Sequence, residues 1–210
     1  MAQTLAEPTT LDRRTQILEA AVVCFAKRGF HQASMHDISA EAGISVGLIY
    51  RYFQNKEAVI AAMADRHKTE ISALLERARQ APTLLEALET LFTAHCSEDS
   101  PKVVSAFVVD LYAEAARNSQ MADLVRDVLH TAMDGVVDVI SRSPEVRNTP
   151  HNLTPKQMVE LIFAAARGML MFDILQPPEM TAAERREHQL QVVRNLWRLM
   201  FQTENKPAYA

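Results

Sequence analysis

Apolar residues recur at helical spacing along most of this chain, and no segment alternates convincingly between apolar and polar residues over the length of a strand. The pattern predicts an all-α protein. Several helix starts carry a hydroxyl residue followed three positions later by an acid or amide, the capping box. The predicted capping boxes are Thr9 with Asp12, Ser34 with Asp37, Thr154 with Gln157 and Thr181 with Glu184. The predicted helices run from about Thr9 to Arg28, from Met35 until Gly43 ends the helix, from Val46 to Phe53, from Asn55 or Lys56 to Gln80, from Leu84 to Ser97, from near Pro101 to Arg117, from Met121 to Ser141, from Thr154 to Leu175 and from Thr181 to Gln202.

The two short helices between Met35 and Phe53 form the most informative stretch. Gly43 accepts the left-handed conformation of a sharp turn, and Ser45 is a suitable N-cap for the helix that follows. A helix, a glycine turn and a second helix are the layout of a helix-turn-helix. In that motif the second helix enters the major groove of DNA. The alternative is an ordinary helical hairpin inside a bundle.

The second short helix has two faces. Ile49 and Phe53 fall on one stripe and would anchor it, whereas Gly47 and Arg51 fall on the opposite side. A glycine lets DNA come close, and arginine and tyrosine donate to phosphates or base edges. A lysine at the start of the next helix is a natural phosphate clamp. The DNA-contact residues predicted on this basis are Ser34, Ser45, Val46, Gly47, Tyr50, Arg51, Tyr52 and Lys56.

The string from Arg14 to Lys56, with IL-AA followed by SM-DIS-EAG-S-G-IY-YF--K, closely resembles the DNA-binding domain of the TetR family of bacterial transcriptional regulators. The resemblance covers about a fifth of the chain. It implies a DNA-binding domain over residues 1–54 and a C-terminal helical domain over 55–210 that binds a ligand and dimerises. The sequence itself predicts a disordered tail at residues 1–8. The resemblance also implies a homodimeric repressor that leaves a palindromic operator, a stretch of double-stranded DNA, when a small molecule binds.

In this family the effector binds between the helices of the C-terminal bundle, in a pocket lined mainly by apolar and aromatic groups. The resemblance therefore implies an apolar or amphipathic effector. Our candidate lining residues are Phe107, Leu111, Tyr112, Met133, Phe163 and Met169. Residues of these types at helical spacing also form ordinary cores, so each of them has a second interpretation as a packing residue.

The same resemblance places the dimer contact on the last two predicted helices. Small residues from Ala164 to Gly168 would let helices approach closely. The last helix carries an apolar stripe of Leu190, Val193, Leu196, Trp197 and Met200. That stripe either faces a second copy of the chain or packs into the core of its own subunit.

The charge distribution, hydropathy and cysteine content limit the classes of protein to which the chain can belong. The net charge is −4, but residues 1–68 carry 8 Lys/Arg against 7 Asp/Glu, and the remainder carries 14 against 19. Attraction to DNA is therefore local and modest. No apolar run is long enough to span a membrane, no signal peptide is evident, and two cysteines in unrelated contexts fit a reducing cytoplasm. We expect a cytoplasmic location.

The sequence contains no catalytic motif, and no cofactor or metal site is expected from it, because it has no metal-ligand spacing. An enzyme is therefore a distant alternative. The nearer alternative is a DNA-binding organiser of the same fold that a protein partner controls instead of a small molecule.

Overall fold

The computed structural model describes residues 10–93, 101–148, 152–175 and 180–201, and all regular structure among them is helical. This confirms the predicted all-α fold. The helices are α1 (Thr10–Gln32), α2 (Met35–Glu41), α3 (Val46–Tyr52), α4 (Lys56–Arg79), α5 (Leu84–Thr93), α6 (Pro101–Ala115), α7 (Ser119–Arg142), a short 3-10 helix (Pro144–Asn148), α8 (Pro155–Leu175) and α9 (Ala182–Phe201).

Most predicted boundaries lie within a few residues of the observed ones. The capping boxes at Thr154 with Gln157 and at Thr181 with Glu184 are both present, with side chain and backbone bonds in each direction. Helical structure resumes after Gly29, whose φ of 76° bends the chain inside α1. The predicted tail at 1–8, the cap residue Thr9 and the predicted helix ends at Ser97 and Gln202 lie outside the described residues.

The chain forms two compact units, and the first combines the described part of residues 1–66 with residues 106–125. It therefore holds α1 to α3, the start of α4, most of α6 and the start of α7. Its core contains fully buried side chains from all of the first four helices, including Ile17, Phe25, Ile38, Ile49 and Val59. The first unit extends beyond the domain boundary predicted at 54/55, because the start of α4, from Lys56, belongs to it.

The second unit contains residues 67–105 and 126–210, as far as they are described. Its core includes Leu75, Leu88, Ile140, Met158 and Val193. Within this unit α7 packs very closely on α4, since a Cβ added to Gly135 would lie 2.1 Å from Leu75 Cδ1. No helix of the described part of the chain is long and apolar enough to cross a membrane.

The apolar stripe on α9 packs inside its own unit. Val193 is 1% exposed and Met200 is 3% exposed, while Leu196 and Trp197 pack against the same core. The periodicity predicted a stripe correctly, and the structure assigns it to the core of the subunit. Other large apolar side chains of α8 and α9 are exposed, namely Leu161, Met171, Phe172, Ile174, Leu175 and Leu199.

Candidate nucleic-acid interface

The first helix of the predicted helix-turn-helix begins with a complete capping box. The Ser34 hydroxyl accepts from the Asp37 amide at 3.2 Å, and the Asp37 carboxylate accepts from the Ser34 amide at 3.0 Å. The Ser34 hydroxyl also donates to Asp37 at 2.6 Å, and Arg28 of α1 lies 2.9 Å from the other carboxylate oxygen. The hydrogen bonds from Ser34, with a smaller contribution from Arg28, hold the pKa of Asp37 below its ordinary value of 3.8.

The turn between α2 and α3 follows the predicted chemistry. Gly43 has a φ of 66°, and the Ser45 hydroxyl accepts from the Leu48 amide at 3.2 Å to cap α3. Gln16 of α1 adds a contact that sequence patterns do not signal: its amide nitrogen donates to the Ala42 carbonyl at 2.6 Å. The end of α2 is therefore fixed against α1, which in turn fixes where α3 begins.

The two faces of α3 are distinct. Ile49 is fully buried and Phe53, the residue that ends the helix, is 3% exposed. On the other side Gly47 and Arg51 are exposed, and Tyr50 is 52% exposed. Apart from its chain neighbours and the backbone of its own helix, nothing lies within 4 Å of a Cβ added to Gly47, so the space beside this residue is open within the described structure. A partner could therefore approach the helix backbone closely at this point.

The other predicted DNA-contact residues differ in accessibility. Ser34 and Ser45 are exposed, although both hydroxyls already act as helix caps. Val46 is half-buried, and Tyr52 is half-buried against the core of the first unit. The most open face of α3 is thus formed by Ser45, Gly47, Tyr50 and Arg51.

Lys56 holds backbone groups of its own chain. Its ammonium donates to the Phe30 carbonyl at 2.5 Å and the Ala33 carbonyl at 3.1 Å, lies 3.4 Å from the His31 carbonyl, and sits 4.4 Å from the centre of the Phe30 ring. Three carbonyl oxygens thus lie within hydrogen-bond distance of an ammonium, which has three donors. The sequence did not suggest this role, because the carbonyls lie 23 to 26 residues away along the chain.

Arg14, near the start of α1, lies 4.7 Å above the ring of Phe53. A guanidinium over an aromatic face is an attractive arrangement. Arg13, beside it in sequence, donates to Gln16 at 2.8 Å. These contacts place two cationic side chains within the first unit, one of them directly against the end of α3.

The six candidate effector residues are divided between the two units. Phe107 and Leu111 pack against the core of the first unit, and Tyr112 belongs to the same unit. Met133 and Phe163 pack against the core of the second unit. Met169 lines a cavity of about 430 Å³ between α8 and α9. Helical spacing identified apolar positions but could not assign them to one unit or the other.

Catalytic and metal chemistry is not evident in the part of the chain that the structure describes. No group of three or more His, Cys, Asp or Glu residues lies close enough together there to hold a metal ion. His31 and His36 are both exposed. Burial is the main cause that raises the pKa of the Cys24 thiol above 9.0, so this thiol stays protonated at neutral pH.

Comparison with known proteins agrees with this geometry. Residues 17–63 match the family model described as bacterial regulatory proteins, tetR family. The HTH-type transcriptional regulator UidR of Escherichia coli K12 is 33% identical over 129 residues, which are 60% of this chain and 61% of UidR. The match therefore spans less than two thirds of the length of that relative.

Solved structures match over most of the chain. GusR of Salmonella enterica has a TM-score of 0.69 at 26% identity, covering 94% of this chain and 99% of GusR. FadR of Bacillus subtilis, solved in complex with stearoyl-CoA, has a TM-score of 0.67 at 18% identity, covering 85% of this chain and 96% of FadR. The second likeness shows a shared fold. Taken together, these comparisons show that residues 17–63 are similar to the tetR family of bacterial regulatory proteins and that the fold is shared with solved structures over most of the chain.

Proposed function

We propose that this protein is a cytoplasmic DNA-binding transcriptional regulator, a dimeric repressor that a small molecule releases from a palindromic operator. The observation that carries the proposal is the open face of α3. Its buried residues Ile49 and Phe53 fix the helix, while Gly47, Tyr50 and Arg51 face outward without covering side chains. A glycine beside a tyrosine and an arginine suits close approach to DNA followed by hydrogen bonding to phosphates or base edges.

The proposed DNA contacts are ordered by accessibility. Ser45, Gly47, Tyr50 and Arg51 form the face that meets the groove, with Val46 at its edge. We propose that Ser34, Tyr52 and Lys56 also contact the DNA, at the border of this face. Their side chains also perform structural roles, so their contribution to binding must be separated from their contribution to folding.

A selection experiment that starts from random DNA tests the function, so no operator sequence has to be chosen in advance. The protein is incubated with a library of random-sequence DNA duplexes, and bound duplexes are amplified and sequenced over several rounds. We expect enrichment of an inverted repeat, because a twofold-symmetric dimer reads two half-sites of the same sequence. A library that stays random, with protein that is folded by circular dichroism, contradicts the proposed function.

The proposed dimer uses α8 and α9. Its support is the group of exposed apolar side chains on these helices, which includes Phe172, Leu175 and Leu199 at 66%, 78% and 66% exposure. Several large exposed apolar side chains on the same two helices are typical of helices that take part in an interface. The small residues near Gly168 add room for close approach, since no atom lies within 4 Å of a Cβ at that position.

The proposed effector is an apolar or amphipathic small molecule. The named ligand of one structural relative, the stearoyl-CoA bound to FadR, combines an acyl chain with a polar head. The effector would lower operator affinity only if it binds the non-binding conformation more tightly. The competing proposal is control by a protein partner, and the packing of Met133 and Phe163 against the core of their unit favours it.

A thermal-shift screen separates these two modes of control. An effector present at a hundredfold excess over its dissociation constant should stabilise the folded protein by about 2.7 kcal/mol. The screen should include stearoyl-CoA and simpler apolar amphiphiles, and each stabilising compound should then weaken binding to the selected duplex. A screen without any stabilising compound favours the partner-controlled organiser.

A further inference from the structure

The turn that precedes the helix-turn-helix is held by charged side chains from two other helices. Gly29, at φ 76° and ψ 159°, bends the chain near the end of α1. The amide of the next residue, Phe30, donates to Asp110 Oδ2 of α6 at 2.6 Å. The carbonyl of the same residue accepts from the Lys56 ammonium of α4 at 2.5 Å. One residue of this turn thus has both backbone groups bound by side chains of opposite charge.

This turn sets the starting point of α2. Lys56 also donates to the carbonyl of Ala33, which immediately precedes the N-cap Ser34. The backbone from Phe30 to Ala33 is therefore fixed on its amide side by α6 and on its carbonyl side by α4. Because α2 and α3 are joined by a tight glycine turn, the direction of α2 determines where the open face of α3 points.

Three residues along one face of α6 meet the end of α1. Phe107 stacks on Phe25 with ring centroids 6.2 Å apart, and His31 Nε2 lies 2.6 Å from Glu114 Oε2. Asp110 lies between these two contacts, and the spacing of three and four residues puts all of them on the same side of a helix. Glu114 is 2% exposed and also accepts from Asn118 at 3.2 Å. All of these groups belong to the first compact unit.

We propose that Asp110 is a positioning residue for DNA recognition: its carboxylate holds the Phe30 amide and thereby fixes the entry of the helix-turn-helix. This inference rests on the proposed function, since the orientation of α3 matters only if α3 binds DNA. The role of Asp110 depends on where its acceptor oxygen lies and not on its negative charge. It can therefore be distinguished from a general electrostatic effect by substitutions that change one property at a time.

Three substitutions at this position make that distinction. Asp110→Asn keeps an acceptor oxygen at the same reach and removes the charge. Asp110→Glu keeps the charge, but its extra methylene group displaces the oxygens. Asp110→Ala removes the acceptor altogether. Asp134→Ala, at an exposed acidic position of α7, is the matched control for loss of a negative charge.

Two measurements are made on each full-length variant. The first is affinity for the DNA duplex that the wild type selects from a random library, measured at several salt concentrations with the protein folded by circular dichroism. The second is hydrogen exchange of residues 29–34 without DNA. We expect Asp110→Ala to bind about tenfold more weakly, the equivalent of about 1.4 kcal/mol, with an unchanged salt slope and faster exchange.

The series has a defined order under this proposal. Asp110→Asn and Asp134→Ala should bind close to wild type, and Asp110→Glu should be weak like Asp110→Ala. If the alanine variant does not fold, the asparagine and glutamate variants alone give the answer. Equal affinity in all folded variants, unchanged exchange in Asp110→Ala, or a glutamate variant that binds well while the asparagine variant binds poorly would each overturn the positioning role.

Failure of the proposed function gives a different result. If the wild type enriches no duplex, DNA recognition and the positioning role are both rejected, whatever the exchange data show. If the wild type enriches a duplex and only the order of the Asp110 variants is wrong, the regulator function stands and the positioning role is rejected alone.

Discussion

Asp37 is the acidic partner in the cap that begins the helix-turn-helix, and its lowered pKa predicts a dependence of stability on pH. A carboxyl whose folded pKa is depressed stabilises the folded state fully above its unfolded pKa, here about 3.8. That stabilisation is lost as the pH falls through the lower folded-state pKa. We expect Asp37→Asn to be less stable than wild type at pH 7, with the difference disappearing on acidification below pH 3.8.

Urea unfolding at several pH values measures this difference, and Asp134→Asn, at an exposed position for which the structure describes no comparable cap, is the control. A difference between Asp37→Asn and wild type that stays constant from neutral to acidic pH would contradict the stabilising role of the Asp37 carboxylate.

Lys56 permits a second prediction at the level of a residue. Removing its ammonium leaves the carbonyls of Phe30 and Ala33 without this donor, so Lys56→Ala should lower the free energy of unfolding by roughly 1 to 3 kcal/mol. If Lys56 also contacts a DNA phosphate, the variant should additionally reduce the salt slope of duplex binding by about one unit per monomer. A variant as stable as wild type contradicts the structural role, and an unchanged salt slope eliminates the phosphate contact.

Residues that act over short distances along the chain were predictable. The Ser34 cap, the positive φ of Gly43 and the Ser45 cap each depend on neighbours within a few positions, so their sequence signals are local. The contact of Asp110 with Phe30 spans 80 residues. No periodic pattern encodes such a contact, because it depends on how α6 packs against α1.

At the level of helices, Gly135 lets α7 approach α4. A Cβ at this position would lie 2.1 Å from Leu75 Cδ1, and Leu75 is only 4% exposed, so it has little room to move. We expect Gly135→Ala to destabilise the protein by about 1 to 3 kcal/mol through overpacking, although alanine favours helix formation. Thermal or urea unfolding measures the change.

Gly47→Ala is the matched control for stability measured without DNA, because this glycine is also helical and no neighbouring atom outside the backbone of its own helix lies within 4 Å of the added Cβ. It should be as stable as wild type or more stable by up to about 1 kcal/mol. If Gly135→Ala behaves in the same way, the close approach of α7 to α4 is not a feature of the folded protein.

The periodicity of a helix predicts its apolar face but does not determine what that face packs against. The periodicity of α9 revealed an apolar stripe, yet a stripe that packs inside a subunit and one that packs against a second subunit have the same spacing. The burial of Val193 and Met200 assigns the stripe to the core. The effector candidates Phe107 and Met133 belong to different units, and their spacing could not reveal this, since periodicity says that a residue faces inward but not which unit it enters.

At the scale of the whole molecule, the proposed dimer predicts that exposed apolar residues of α8 and α9 are needed for assembly. A charge at Phe172 or Leu199 would be forced into an apolar interface, where an unpaired charge is costly. We expect Phe172→Asp combined with Leu199→Asp to give monomers by light scattering and to lose affinity for the selected duplex. Met200 is unsuitable for this test because it is buried in the subunit core.

The control for assembly is Ala73→Asp, at an exposed position of α4. Ala73→Asp should have the same assembly mass as the wild type by light scattering. A dimer mass that is unchanged in the double variant of α8 and α9 would place the subunit contact elsewhere.

The central claim is that the open face of α3 meets DNA, and substitution of Gly47 tests it most directly. The space before Gly47 is empty, so Gly47→Leu should fold with unchanged or slightly higher stability while its side chain stands between α3 and the groove. Ala73→Leu, which adds similar bulk at an exposed position of α4, is the control. The measurement is affinity for the duplex that the wild type selects. We predict that Gly47→Leu loses binding while Ala73→Leu retains it, and a folded Gly47→Leu protein that binds like wild type would contradict the account.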